Sequence, residues 1–286
     1  MSIATLLPWS VISVSGPDAS TFLQGQVTTD MRELSAGQSR PGCLLNLKGR
    51  IETNFYICPQ DNGFLMVVHN SLQDSAITRL KKYGVFSKVD ITASSLKVVG
   101  YLGKVSDELA LPNNSNESIA EQGQYWLRLH GDARFLRLCQ PEQLEPTIKA
   151  DMGDLTRWLA ASIAAGDWLI DASAQGLYQP QELDAHELQG VSYQKGCYLG
   201  QEIVARLYFR GQLKSSLKCL KSTAFNTADI APQQVITANG QSVGEVVAAI
   251  GSAGLVLAIV RNEYNEVEIT LANGETTHWQ AHAFVR

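Results

Sequence analysis

The sequence predicts an α+β protein that finishes in a small β-barrel. Three observations carry this: a strand–turn–strand pattern between Ile51 and Val68, two segments with apolar residues at helical spacing, and a tail after Gly211 made of short alternating runs separated by turn signals. At 286 residues, 45% hydrophobic and 18% charged, the chain is long for one core, and two or three folded units are expected.

In IETNFYICPQDNGFLMVV, Ile51 to Val68, two β-prone runs flank PQDNG, where Asn62-Gly63 supplies the positive φ a tight turn needs. The next stretch, NSLQDSAITRLKKYGVF, spaces Leu72, Ala76, Leu80 and Tyr83 on one helical face and ends near Gly84, with Arg79, Lys81 and Lys82 read as a solvated face. PNNSNESIAEQGQ reads as loop, and YWLRLHGDARFLRLC as two strands around His130 to Ala133. DMGDLTRWLAASIAAGD is a helix with Asp154 at the cap, Leu155, Trp158, Leu159 and Ser162 along one side, and Gly166 as its stop. The tail alternates around Asn-Gly turns at Asn239 and Asn273, the pattern of a small barrel. A boundary near 210–215 divides residues 1–211 from a C-terminal barrel, 212–286.

The five cysteines, Cys43, Cys58, Cys139, Cys197 and Cys219, are odd in number and contain no CxxC pair, so they read as free thiols. No apolar run approaches the roughly 20 residues that span a bilayer, and the N-terminus lacks the basic and apolar regions of a signal peptide. A cytoplasmic protein with no membrane partner is expected. The net charge of −5 argues against direct tRNA binding by general attraction to phosphate. GxxxxGK and GxGxxG motifs are both missing from the sequence. His278 and His282 lie four apart in a β-rich tail, where that spacing separates them by roughly 13 Å, so no metal site is expected.

The chemistry concentrates in QKGCYLGQEIVARLYFRG, Gln194 to Gly211. A lone cysteine is more often a small packed hydrophobe than a reactive group. Around Cys197, however, Lys195 supplies positive charge, Gly196 and Gly200 leave room for a partner, and a helix can begin just after the thiol; cations and helix N-termini both favour thiolate. Within that helix Glu202 and Arg206 are placed to pair, and Ile203, Val204 and Leu207 form the apolar face. Trp9 and Trp158 are flat enough to stack on a conjugated ring, although each tryptophan alone is more often core.

KGCYLGQEIVAR resembles the signature of the folate-binding YgfZ family, relatives of the glycine-cleavage T-protein. FLQGQVTTD (Phe22 to Asp30), LKKYGVFSKVDI (Leu80 to Ile91) and QPQELDAHELQGVSYQKGCYLGQEIVARLYFRG resemble that family in the same order. The resemblance implies a three-domain cloverleaf around a central channel, with two interwoven T-protein-like domains before the barrel. It implies tetrahydrofolate or another folate derivative as ligand, contacted by Trp9 and Trp158. It also implies support of iron–sulfur client enzymes, including those that modify or thiolate tRNA. The motif residues carried over are Lys195, Gly196, Cys197, Tyr198, Gly200, Gln201, Glu202 and Arg206, with Cys197 as the functional thiol.

The chain departs from the T-protein pattern at two places. CLLNLKGRIETNF puts Thr53 and Asn54 where T-proteins carry aspartates, and KGCYLGQE puts Cys197 where they resemble KGDFIGRE. Aminomethyl transfer is therefore not expected. The alternatives are a folate-dependent one-carbon transferase of altered substrate, using Asp30 or Glu52, and an interaction module whose folate pocket has closed.

Overall fold

The computed structural model describes residues 3–103, 111–211, 213–222, 230–271 and 274–285. The chain runs β1 (Ile3–Leu6), β2 (Trp9–Ser15), α1 (Ala19–Gln24), β3 (Arg40–Leu45), β4 (Ile51–Gln60), β5 (Gly63–His69), α2 (Gln73–Tyr83), β6 (Asp90–Ala93) and β7 (Lys97–Leu102). Then follow β8 (Ser118–Glu121), β9 (Gln124–Arg128), β10 (Arg134–Cys139), α3 (Met152–Ala165) and α4 (Gln201–Arg210). The last strands are β11 (Ser215–Lys221), β12 (Val235–Ala238), β13 (Gln241–Ile250), β14 (Leu255–Arg261), β15 (Glu266–Thr270) and β16 (Thr276–His282).

These strands make two five-stranded sheets, β1-β7-β10-β9-β8 and β3-β4-β5-β2-β6, and a closed barrel, β11-β14-β13-β12-β15-β16. The chain starts in the first sheet, crosses to the second for β2 to β6, and returns with β7. Closing the barrel removes the exposed edges an open antiparallel sheet would leave. Its alternation is visible in β15 and β16, where Val267, Ile269, Thr277 and Trp279 point inward between exposed neighbours. Asn239 (φ 52°) and Gly240 (φ 73°) make the tight turn between β12 and β13. The turn expected at Asn273 lies outside the described residues.

Several local expectations are corrected. The β4–β5 hairpin pairs Gln60 with Gly63, so its loop is Asp61-Asn62, with Asn62 at φ 61°. The segment read as loop contains β8, which pairs with β9 through Gln122 (φ 52°) and Gly123 (φ 74°). Tyr83 is 42% exposed, because the buried side of α2 ends at Leu80. Arg79 is not solvated: it donates to the Glu52 carboxylate and the Leu45 carbonyl, tying α2 to the end of β3. The cap of α3 is Asp151, whose carboxylate accepts from the Asp154 amide at 2.9 Å; Asp154 lies in the first turn. Gly166 ends α3 at φ 65°, where a Cβ would lie 2.8 Å from the Phe284 ring.

One apolar core joins the units, combining Cys43 and Ile51 of the second sheet, Ile163 of α3, Val204 of α4, and Leu217 and Leu257 of the barrel. Among the described residues no helix is long and apolar enough to cross a membrane.

Candidate functional site

The loop before α4 is fixed from several sides. Lys195 is buried, and its Nζ donates to the carbonyls of Val27 at 2.7 Å and Thr29 at 2.6 Å while lying 5.1 Å from the Tyr198 ring centre. Burial lowers its pKa to about 7, against a weaker opposing pull from Asp30. Nearby, the Leu199 amide donates to Gly25, the Ser192 amide to Thr28, and the Thr28 hydroxyl to Gly190. FLQGQVTTD and the segment ending in KGCYLG, far apart in sequence, are thus joined along their length.

Gly200 serves packing rather than access. It sits at φ 84°, and a Cβ there would lie 2.6 Å from the Asn46 carbonyl oxygen. Facing it, Gly49 (φ 69°) would place a Cβ 2.8 Å from Ile203 of α4. The turn that holds Asn46 and Gly49 belongs to CLLNLKGR, so the two stretches that differ from the T-protein pattern touch each other. Gly196, by contrast, faces open space. Cys197 is exposed, whereas Cys43, Cys58, Cys139 and Cys219 are buried. Tyr198 is buried beneath it, and Gln201 accepts from the Tyr198 amide at 3.1 Å. Glu202 and Arg206 are both exposed and form no ion pair among the described residues. Beside the loop, Leu199, Leu47, Lys48, Glu52, Arg79 and Lys82 line an open cleft of about 720 Å³.

The tryptophans form a second centre. Trp158 is fully buried, 4.9 Å from Trp9 in an edge-on contact, and Arg134 lies 4.8 Å over its ring. Trp158 is therefore a wall behind Trp9, with no free face of its own. Trp9 is half-buried and lines a cavity of about 80 Å³ together with His69, Asp167, Trp168 and Asp171. Asp167 accepts from the Tyr56 hydroxyl at 2.6 Å and from Arg134 at 3.2 Å, and Arg134 also donates to Ser162 at 2.8 Å. Sequence reasoning missed Trp168, Asp167 and Arg134; a buried arginine inside the apolar run RFLRLC was the available signal.

The carboxylates of the transferase alternative are both engaged. Asp30 accepts from Arg32 at 2.6 Å and from Gln24 at 3.0 Å, and these bonds, Arg32's first, hold its pKa down at about 2. Glu52 is held by Arg79. Asn54, which the motif resemblance puts where T-proteins carry an aspartate, is a structural residue here, donating to the Trp168 carbonyl at 2.6 Å and accepting from the Ile170 amide at 2.9 Å. Among the described residues no cluster of His, Cys, Asp and Glu could hold a metal ion. His278 lies opposite Glu268 and His282 opposite Cys219 on β16.

No family model matches the chain. The tRNA-modifying protein YgfZ of Klebsiella pneumoniae is 32% identical over 286 residues, covering 94% of this chain and 86% of its own. That of Escherichia fergusonii is also 32% identical, over 239 residues, covering 78% of this chain and 73% of its own. The chain belongs to the YgfZ family. Its fold is that of the glycine cleavage system aminomethyltransferase T of Bartonella henselae, with a TM-score of 0.74 over 99% of this chain and 85% of that one, at 16% identity. The expected T-protein-like architecture with a closing barrel is therefore present.

The space where the YgfZ-family units meet is small. Between Asn54, Trp168, Leu183 and the barrel residues Leu217 and Leu257 it holds about 20 Å³. Pockets for small ligands usually span roughly 300–1,000 Å³. The Trp9–Trp168 cavity, at about 80 Å³, also falls below that range.

Proposed function

We propose that the chain is a cytoplasmic folate-binding accessory protein that supports iron–sulfur enzymes modifying tRNA, with Cys197 as its working thiol. The observation that carries this reading is the single exposed cysteine on a loop anchored by Lys195 and by the Gly200–Asn46 contact. A thiol presented on a fixed loop can meet a partner protein's thiol or cluster without reorganising the backbone. Membership of a family whose relatives are named tRNA-modifying proteins supplies the tRNA link.

The folate part of the proposal requires Trp9, the half-buried wall of the small cavity, to move outward and admit the ring. Aminomethyl transfer is not proposed, since Asn54 and the engaged Asp30 and Glu52 leave no free carboxylate at the corresponding place.

Two experiments test the reading. In cells lacking the protein, wild type should restore iron–sulfur-dependent tRNA thiolation and Cys197→Ala should not; full rescue by the variant removes the thiol from the function. Titration with tetrahydrofolate should quench tryptophan emission in wild type and less in Trp9→Phe. A flat titration in wild type favours the closed interaction module.

A further inference from the structure

Helix α4 leaves an outer face exposed. Val204 is buried and Ile203 and Leu207 are half-buried; at about 100° per residue, Phe209 lies on the opposite side. Phe209 is 68% exposed and its neighbour Tyr208 52% exposed. Tyr193, from the preceding segment, stacks on Tyr208 with ring centres 3.7 Å apart and planes 13° from parallel. Phe209 stands edge-on to both rings, at 83° to Tyr208 and 73° to Tyr193. The aromatic platform is thus held in place by ring contacts before anything binds.

Cations border it. Arg206 and Arg210 are exposed, one turn apart, and flank Phe209 on the edge away from Tyr208; Lys214 is exposed just beyond the helix. Neither arginine has an ion-pair partner among the described residues. Residues 201–214 carry three exposed cations against one carboxylate, Glu202, in a chain of net charge −5. Within this segment the sign of the whole chain's charge, which argued against nucleic acid, is reversed.

We propose that this face binds single-stranded RNA, a base stacking on the Phe209 ring, which Tyr208 and Tyr193 brace edge-on, while Arg206 and Arg210 hold the adjoining phosphates. Exposed rings interleaved with cations suit unpaired bases, because every base offers a π-face and a paired base does not. The choice of RNA over DNA rests on the tRNA-linked reading above.

The test measures fluorescence anisotropy of a labelled single-stranded RNA of about 12 nucleotides, long enough for a typical single-strand site, with folate-free full-length protein. Wild type should bind saturably, more weakly as salt rises, and more tightly than it binds the same RNA in a duplex. Phe209→Ala should weaken binding roughly tenfold, the range of one lost base stack; Phe209→Trp should retain it. Arg206→Gln with Arg210→Gln should weaken binding and flatten its salt dependence. Circular dichroism melts show whether each variant is folded. Absence of saturable binding at low salt overturns the proposal, as does unchanged affinity in folded Phe209→Ala and in the double arginine variant. So does sedimentation showing that Phe209→Ala only dissolves a self-associated form. The probe contains no folate, so a failed folate titration leaves this outcome readable, and the reverse.

Discussion

Lys195 donates its Nζ to the carbonyl of Thr29 at 2.6 Å, and that bond, with its companion to Val27, places the amine in a site that disfavours its charge. A neutral amine still has two N–H groups for the two carbonyls. With the folded pKa lowered to about 7 from an ordinary 10.5, the unfolded chain binds more protons between those values. Stability contributed at this site therefore rises with pH across the window; the cost is fully present below about 7 and gone above about 10.5. The melting temperature of wild type relative to Lys195→Met should become more favourable on going from about pH 6 to about pH 9, well inside the titration range of a displaced lysine. Parallel profiles for the two proteins would refute it.

Arg134 and Asp167 form an enclosed ion pair, with side chains 0% and 4% exposed. Removing one partner strands the other charge. Asp167→Asn should cost about 3–5 kcal/mol of unfolding free energy in denaturant titration, part of it through the Tyr56 hydroxyl that also donates to Asp167. Combining Arg134→Met with Asp167→Leu should cost clearly less than the two single changes added together. Additive losses would mean the pair is not coupled.

What could be read from sequence was local. The barrel announced itself through alternation and the Asn239-Gly240 turn, and α3 through its period and Gly166, since both are written in neighbouring residues. Cys197 was legible because charge, glycines and a helix start lie within a few positions of it. Partners distant in the chain were not: Arg79 read as solvated because Glu52 and Leu45 are 27 and 34 residues away. Trp168 gave no signal because its role depends on α3 carrying it back against Asn54, 114 residues earlier. Gly200 was misread as access for the same reason, since its neighbour is the Asn46 turn.

That contact gives a clean comparison between two glycines of one motif. Gly200→Ala must accept φ 84° and a Cβ 2.6 Å from the Asn46 oxygen, whereas Gly196→Ala meets nothing within 4 Å. The first should lose about 1–3 kcal/mol, read as a shift in denaturant midpoint, and the second should stay near wild type. Equal effects would show that the loop tolerates displacement and that Asn46 does not hold it.

Thiol chemistry tests the presentation of Cys197 directly. Cys43, Cys58, Cys139 and Cys219 are at most 2% exposed, and burial pushes the thiols of Cys43 and Cys58 up to about 12. Buried, protonated thiols do not attack a disulfide reagent. Native protein should therefore release one equivalent of chromophore from an aromatic disulfide, and all five cysteines should react once denatured. Cys197→Ala should abolish the native reaction and leave four reactive thiols on unfolding. More than one fast equivalent in the native state would mean that the core opens on the timescale of the reaction. No fast equivalent would mean that the loop closes over its sulfur in solution, and a partner would then have to open it before Cys197 could serve.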